Sequence, residues 1–167
     1  MRRQRRALLL AAAPLALAGC GFALRKAPSF SFHSIDLALP ATSGLGLELR
    51  RQLQGTGQVQ VITDAAQKAK ADAVLESKGE QRERAVVSLT ATGEVREFQL
   101  RIRFAFRVVT PAGRELLPTS EILREIDQSY SESAALSKEQ EALMLYQNMQ
   151  SDIVQQVMRR LATVKLN

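Results

Sequence analysis

The chain has 167 residues, one domain at the usual ~100–200 residues per domain, and with 46% hydrophobic and 24% charged residues it is too apolar to be disordered. One Cys and one His exclude an internal disulfide framework, a Cys-rich zinc site and an imidazole cluster. The formal charge of +6 is unevenly placed: Arg2, Arg3, Arg5 and Arg6 stand in the first six positions, and no acidic residue precedes Asp36.

Residues 1–20 read MRRQRRALLLAAAPLALAGC, a cationic start, an apolar run from Ala7 to Ala18 interrupted only by Pro14, and small residues before Cys20. A helix over that run rises only about 18 Å, short of the ~30 Å hydrocarbon core, so the segment reads as a secretory signal and not as a membrane span. Leu17-Ala18-Gly19-Cys20 resembles the bacterial lipobox. That resemblance implies cleavage before Cys20, diacylglycerol on its sulfur and a further acyl chain on the new amino group, an attachment that two or three chains make firm. Gly21 stands where lipoproteins retained in the inner membrane commonly carry Asp, which favours the outer membrane of a Gram-negative cell. The expected organisation is therefore a cleaved signal over 1–19, a lipidated N-terminus and linker over 20–33, and one domain over 34–167. None of the 17 acidic residues and four of the 23 basic ones lie in residues 1–19, so the mature chain carries +2.

Within the domain, Ile35, Leu37 and Leu39 alternate with Ser34, Asp36 and Ala38, a strand stopped by Pro40. Thr42 and Ser43 offer helix caps, and Leu45, Leu49 and Leu53 share one helical face that ends at Gly55 and Gly57. A short strand over 58–62 follows, then a helical turn capped by Asp64 and an extended run over 73–78. Two longer strands, 82–91 and 95–109, flank a turn at Thr92-Gly93-Glu94. In the second, Phe98, Leu100, Ile102, Phe104, Phe106 and Val108 point one way, and Glu97, Gln99, Arg101, Arg103, Ala105 and Arg107 the other. A turn at 110–114 leads to a strand within 120–128. Ser137-Lys138-Glu139-Gln140 has capping-box spacing and opens a helix whose Leu143, Tyr146, Met149, Ile153, Val157 and Leu161 form an apolar stripe. The order predicts an α+β fold: a mostly antiparallel four- to five-stranded sheet with two amphipathic helices on one face.

Little of this pattern supports catalysis. Gly44-Leu45-Gly46 follows a strand and opens a helix, yet Leu49 stands where a dinucleotide loop needs its third Gly, so it reads as a helix start. His33 has no partner at metal or triad spacing, an acylated Cys20 has no free thiolate, and no nucleophile elbow or defined carboxylate pair marks a hydrolase. No enzyme activity, metal or cofactor is expected. Arg101, Arg103 and Arg107 admit two readings: a solvated face balanced by acids on neighbouring strands, or a face whose guanidinium forks bind phosphate. Nucleic acid is a poor partner for an exported domain of +2.

Gly19-Cys20-Gly21-Phe22-Ala23-Leu24-Arg25, the strand Arg96-Glu97-Phe98-Gln99-Leu100, and the tail from Leu136-Ser137-Lys138-Glu139-Gln140-Glu141 to Met158-Arg159-Arg160-Leu161 together resemble the LPS-assembly lipoprotein family, LptE. The resemblance covers essentially the whole mature chain in element order. It implies a partner of the outer-membrane β-barrel LptD, lodged in the barrel as a plug, assisting its assembly and binding lipopolysaccharide on its way to the cell surface. It further implies a lipid-anchored location on the periplasmic side of the outer membrane. In the family, basic residues near a hairpin tip and at the start of the second helix are implicated in lipopolysaccharide binding. Lys138 matches the second position; at the tip Ala91 and Thr92 stand where a cation is expected, with Arg96 close by. The candidate lipopolysaccharide residues are thus Lys138, Arg96, Arg101, Arg103 and Arg107. A different outer-membrane lipoprotein, acting as accessory or binding module of another envelope assembly, is the alternative.

Overall fold

The computed structural model of the chain describes residues 28–166, so the predicted signal sequence, Cys20 and the first part of the linker lie outside the described residues. The alternation at 34–39 forms β1 (Ser34–Ala38), with Ile35 and Leu37 in the core. Ser43 then caps α1 (Gly44–Gly55), its Oγ accepting from Gly46 N at 2.9 Å. The glycines that open this helix serve close packing. A Cβ on Gly44 would stand 2.9 Å from Gln150 Oε1, and one on Gly46 3.2 Å from Leu39. β2 (Gln60–Ile62) pairs parallel with β1, and a 3-10 turn capped by Asp64 (Ala65–Lys70) leads into β3 (Ala73–Leu89). Asp36 points away from the helices and is buried beneath that turn, where Lys68 Nζ lies 3.3 Å from its Oδ1.

β3 joins two stretches that periodicity separates, 73–78 and 82–91. A bulge between Ser77 and Gly79 breaks the local alternation while the backbone ladder continues. β3 pairs parallel with β1 only as far as Glu76 opposite Ala38, and antiparallel with β4 (Val95–Val109) along its whole length. β5 (Glu115–Ser129) starts five residues earlier than its alternation suggests and accommodates Pro118 because it is an outer strand. The sheet order is β2-β1-β3-β4-β5, antiparallel among the three long strands and parallel at the β2-β1 end.

The last helix, α2, spans Ala135–Leu161, starting two residues before the predicted capping box. The box does not form: Ser137 Oγ donates back to the Ala134 carbonyl at 2.8 Å, and a 3-10 turn (Glu132–Ala134) feeds the helix directly. Both helices cover the face carrying Leu100, Ile102, Phe104, Phe106 and Val108. Leu143 departs from the predicted stripe and is exposed, with Ala142 buried in its place. One residue's step turns a side chain about 100° around the helix, and α1, which begins level with Gln150 and runs on toward Gln155, leaves that flank uncovered.

The molecule has two distinct ends. Ser31 Oγ donates to the Val164 carbonyl at 2.6 Å, and Arg114 Nη2 to the Leu166 carbonyl at 2.9 Å. Chain entry, C-terminal tail and the β4-β5 turn therefore share one end. The β3-β4 turn and the first turn of α2 lie at the other, about 55 Å away by the length of a 17-residue strand at ~3.3 Å per residue.

Candidate functional site

Two groups of cations stand out, one on the helix-free face of the sheet and one at the far end. On the face, cross-strand register carries acids to the predicted arginines. Arg101 Nε lies 3.1 Å from Glu125 Oε1, Arg103 Nη1 2.6 Å from Glu121 Oε1, and Arg107 Nε 2.7 Å from Glu76 Oε2. Gln99 extends the row, donating to Asp127 Oδ1 at 2.9 Å and accepting from Arg101 Nε at 2.7 Å. The hydrogen bond from Arg107, with a second from Lys78, holds the Glu76 carboxyl below the usual range. The face is a self-balanced sheet of charge some 15 residues long, rich in exposed donors and acceptors and poor in unpaired cations.

At the far end Lys138 sits in the first turn of α2. Its Nζ donates to Glu141 Oε2 at 2.8 Å and Ser129 Oγ at 3.1 Å, and its carbonyl accepts from the buried Gln128 Nε2 at 2.8 Å. Those contacts tie the end of β5 to the start of α2. The Glu141 carboxyl is held below its usual range, chiefly by the Lys138 hydrogen bond and further by Gln128. Arg96 is exposed in a separate shallow cleft beside Glu94, Tyr130 and Glu132, and its guanidinium makes no ion pair among the described residues. The predicted cations are thus divided: Arg101, Arg103 and Arg107 share the sheet face, while Lys138 and Arg96 share only the far end.

Two further cations escape the sequence pattern. Arg84 Nη1 lies 2.6 Å from Glu139 Oε1, and its guanidinium stacks 3.8 Å from the Phe98 ring, itself edge-on to Tyr130. Arg82 stacks 3.5 Å over Tyr146, whose Oη donates to the Glu83 carbonyl at 2.6 Å. Both arginines face the helices, because register places them opposite Ile102 and Leu100. Their spacing of two in a strand was the available signal. Among the described residues no group of three or more His, Cys, Asp or Glu stands in metal-holding geometry. Cys20 lies outside the described residues.

The family model described as LptE, lipopolysaccharide-assembly, matches residues 32–161. The chain is 30% identical over 169 aligned positions, 98% of its length and 78% of the relative's, to the LPS-assembly lipoprotein LptE of Yersinia pestis (strain Pestoides F). Its structure is similar to that of lipoprotein B from Nitrosomonas europaea, with TM-score 0.72 and 31% identity over 85% of this chain and 90% of that one. It is also similar to the rare lipoprotein B of Shewanella oneidensis, with TM-score 0.65 and 26% identity over 78% and 95%.

Proposed function

The chain belongs to the LptE lipopolysaccharide-assembly family, and from that premise we propose that it is a non-enzymatic subunit of the machinery that delivers lipopolysaccharide to the cell surface. It is anchored through acylated Cys20 to the periplasmic side of the outer membrane and lodges in the LptD barrel as plug and assembly partner. The observation that carries this reading is the combination of a charge-paired sheet face with the molecule's length. A strand about 55 Å long exceeds the ~40–45 Å of a bilayer with its headgroups, so a plug with its tethered end at the periplasmic mouth reaches through the membrane. Arg101, Arg103 and Arg107, each already balanced by a carboxylate, suit the wall of a wet lumen, where the paired charges keep their water.

Lys138 and Arg96 are then the cations that meet lipid A phosphates, with charge-assisted hydrogen bonds as the source of affinity and no bond made or broken. The experiment is purification of the native chain from membranes in mild detergent. A stoichiometric large outer-membrane barrel is expected beside it, together with less surface lipopolysaccharide when the chain is depleted. A chain that emerges as a free monomer, or with another assembly, overturns the reading in favour of an accessory lipoprotein of a different machine.

A further inference from the structure

Lys138 is occupied before any ligand arrives. Its ammonium is pinned between Glu141 and Ser129, with only 22% of its side chain exposed against 44% for Glu141. Gln128, 1% exposed, fixes the first turn of α2 through the Lys138 carbonyl, so the backbone under the ammonium is held independently of the ion pair. The carboxylate offers Lys138 the same chemistry as a phosphate oxygen, an anionic acceptor at hydrogen-bond distance.

We propose that Glu141 is an internal counterion that masks Lys138, and that a phosphorylated glycolipid captures Lys138 by displacing it. This rests on the reading of Lys138 as a lipopolysaccharide contact. Displacement requires that a half-exposed side chain change rotamer and give up its contact with Gln128, which keeps the helix start in place through the Lys138 carbonyl. An exposed i,i+3 ion pair contributes little, so a phosphate carrying about −1.5 to −2 charge outcompetes the single carboxylate for the ammonium. A monoanion, no more charged than the carboxylate it replaces, gains nothing by the exchange. The mask therefore moderates affinity for the phosphorylated ligand at this end of the molecule, and Glu141 tunes binding without touching the ligand.

The test uses the full-length lipidated chain with its co-purifying partner in detergent and purified lipopolysaccharide as probe, with dephosphorylated lipopolysaccharide as the comparison. Glu141→Gln keeps the side chain's size and removes its charge. It is expected to tighten binding of the native form roughly three-fold, the scale of a half-exposed ion pair, and to leave the dephosphorylated form, which presents no phosphate to Lys138, nearly unchanged. Lys138→Gln weakens binding, and Glu141→Gln added to it restores nothing. Glu141→Ala provides the same readout if the Gln variant folds poorly. A Lys138→Gln variant that binds like the native chain removes the Lys138 reading and the mask with it. Weaker binding in Lys138→Gln with no gain in either Glu141 variant overturns the mask alone. A gain from Glu141→Gln that persists in the Lys138→Gln background assigns the effect to general charge and also overturns it.

Discussion

Asp72 fastens the chain's entry to the sheet. Its Oδ2 accepts from His33 N at 2.8 Å and Ser34 N at 2.9 Å, and its own N–H donates to Ser34 Oγ at 2.9 Å, so two segments 38 residues apart clasp each other. The His33 backbone hydrogen bond, foremost, and those of Ser34 together hold its carboxyl below the usual range, although burial opposes them more strongly than either Ser34 contact alone favours them. A depressed folded-state value means the stabilisation is complete above the unfolded value near ~4 and disappears as pH falls through the folded one. Asp72→Asn is accordingly expected to cost about 1 kcal/mol at neutral pH and to flatten the fall in melting temperature below pH ~4, read by thermal unfolding across pH. An unchanged acid limb would place the acid sensitivity elsewhere. At this scale the sequence was only half readable. Alternation put Arg101, Arg103 and Arg107 on one face, but their partners Glu125, Glu121 and Glu76 lie 18 to 31 residues away in the chain, and strand register, which no local pattern encodes, brings them together.

Among the elements, legibility follows how many residues share the period. β4 was plain, since six apolar residues in strict alternation leave one buried face, whereas β3 was split because one bulge shifts the alternation. The start of α2 differs from its sequence pattern for another reason: Ser137 can hydrogen-bond forward as a cap or backward to a carbonyl, and the 3-10 turn before it selects the second. Two substitutions separate core from surface. Phe104→Ala should cost about 3–5 kcal/mol, because a fully buried ring leaves a cavity under both helices. Leu143→Ala should change stability by no more than about 0.5 kcal/mol, because its side chain is exposed. Denaturant midpoints measure both, and comparable losses would return Leu143 to the stripe. The hairpin turns form a matched pair, Thr90 to Glu94 and Thr110 to Arg114. In each, Thr Oγ1 accepts from the fifth residue's N–H at 3.1 Å and a Gly at φ 87° closes the turn. A left-handed residue with a Cβ costs about 1–2 kcal/mol, so Gly93→Ala and Gly113→Ala should each be destabilising by that amount in the same assay.

Taken whole, the molecule is asymmetric along its length. α1, at 12 residues, covers only the half of the sheet nearest the chain entry, while α2, at 27 residues and about 40 Å, covers most of its length. Among the described residues the outer edge of β3 has no neighbouring strand beyond Glu76, and Val86, Val87, Leu89, Leu136, Leu143 and Met144 are exposed toward the far end. No sequence window reports this, because it depends on where a short helix stops relative to strands three times longer in space. A plug and a subunit docked at a barrel's mouth differ in which parts of that length touch the barrel. Photo-reactive residues placed singly at Ala112, in the turn at the chain-entry end, at Ala105, midway along the charged face, and at Thr92, at the far tip, sample the whole axis. If the chain threads the lumen, all three give adducts with the same barrel in intact cells. Separately, if Cys20 carries the proposed acyl chains, the Cys20→Ala chain incorporates no labelled fatty acid and is no longer firmly membrane-bound. Adducts from Ala112 alone would place the domain at the periplasmic mouth, where the charge-paired face meets water and the 55 Å length of β3 serves some other contact.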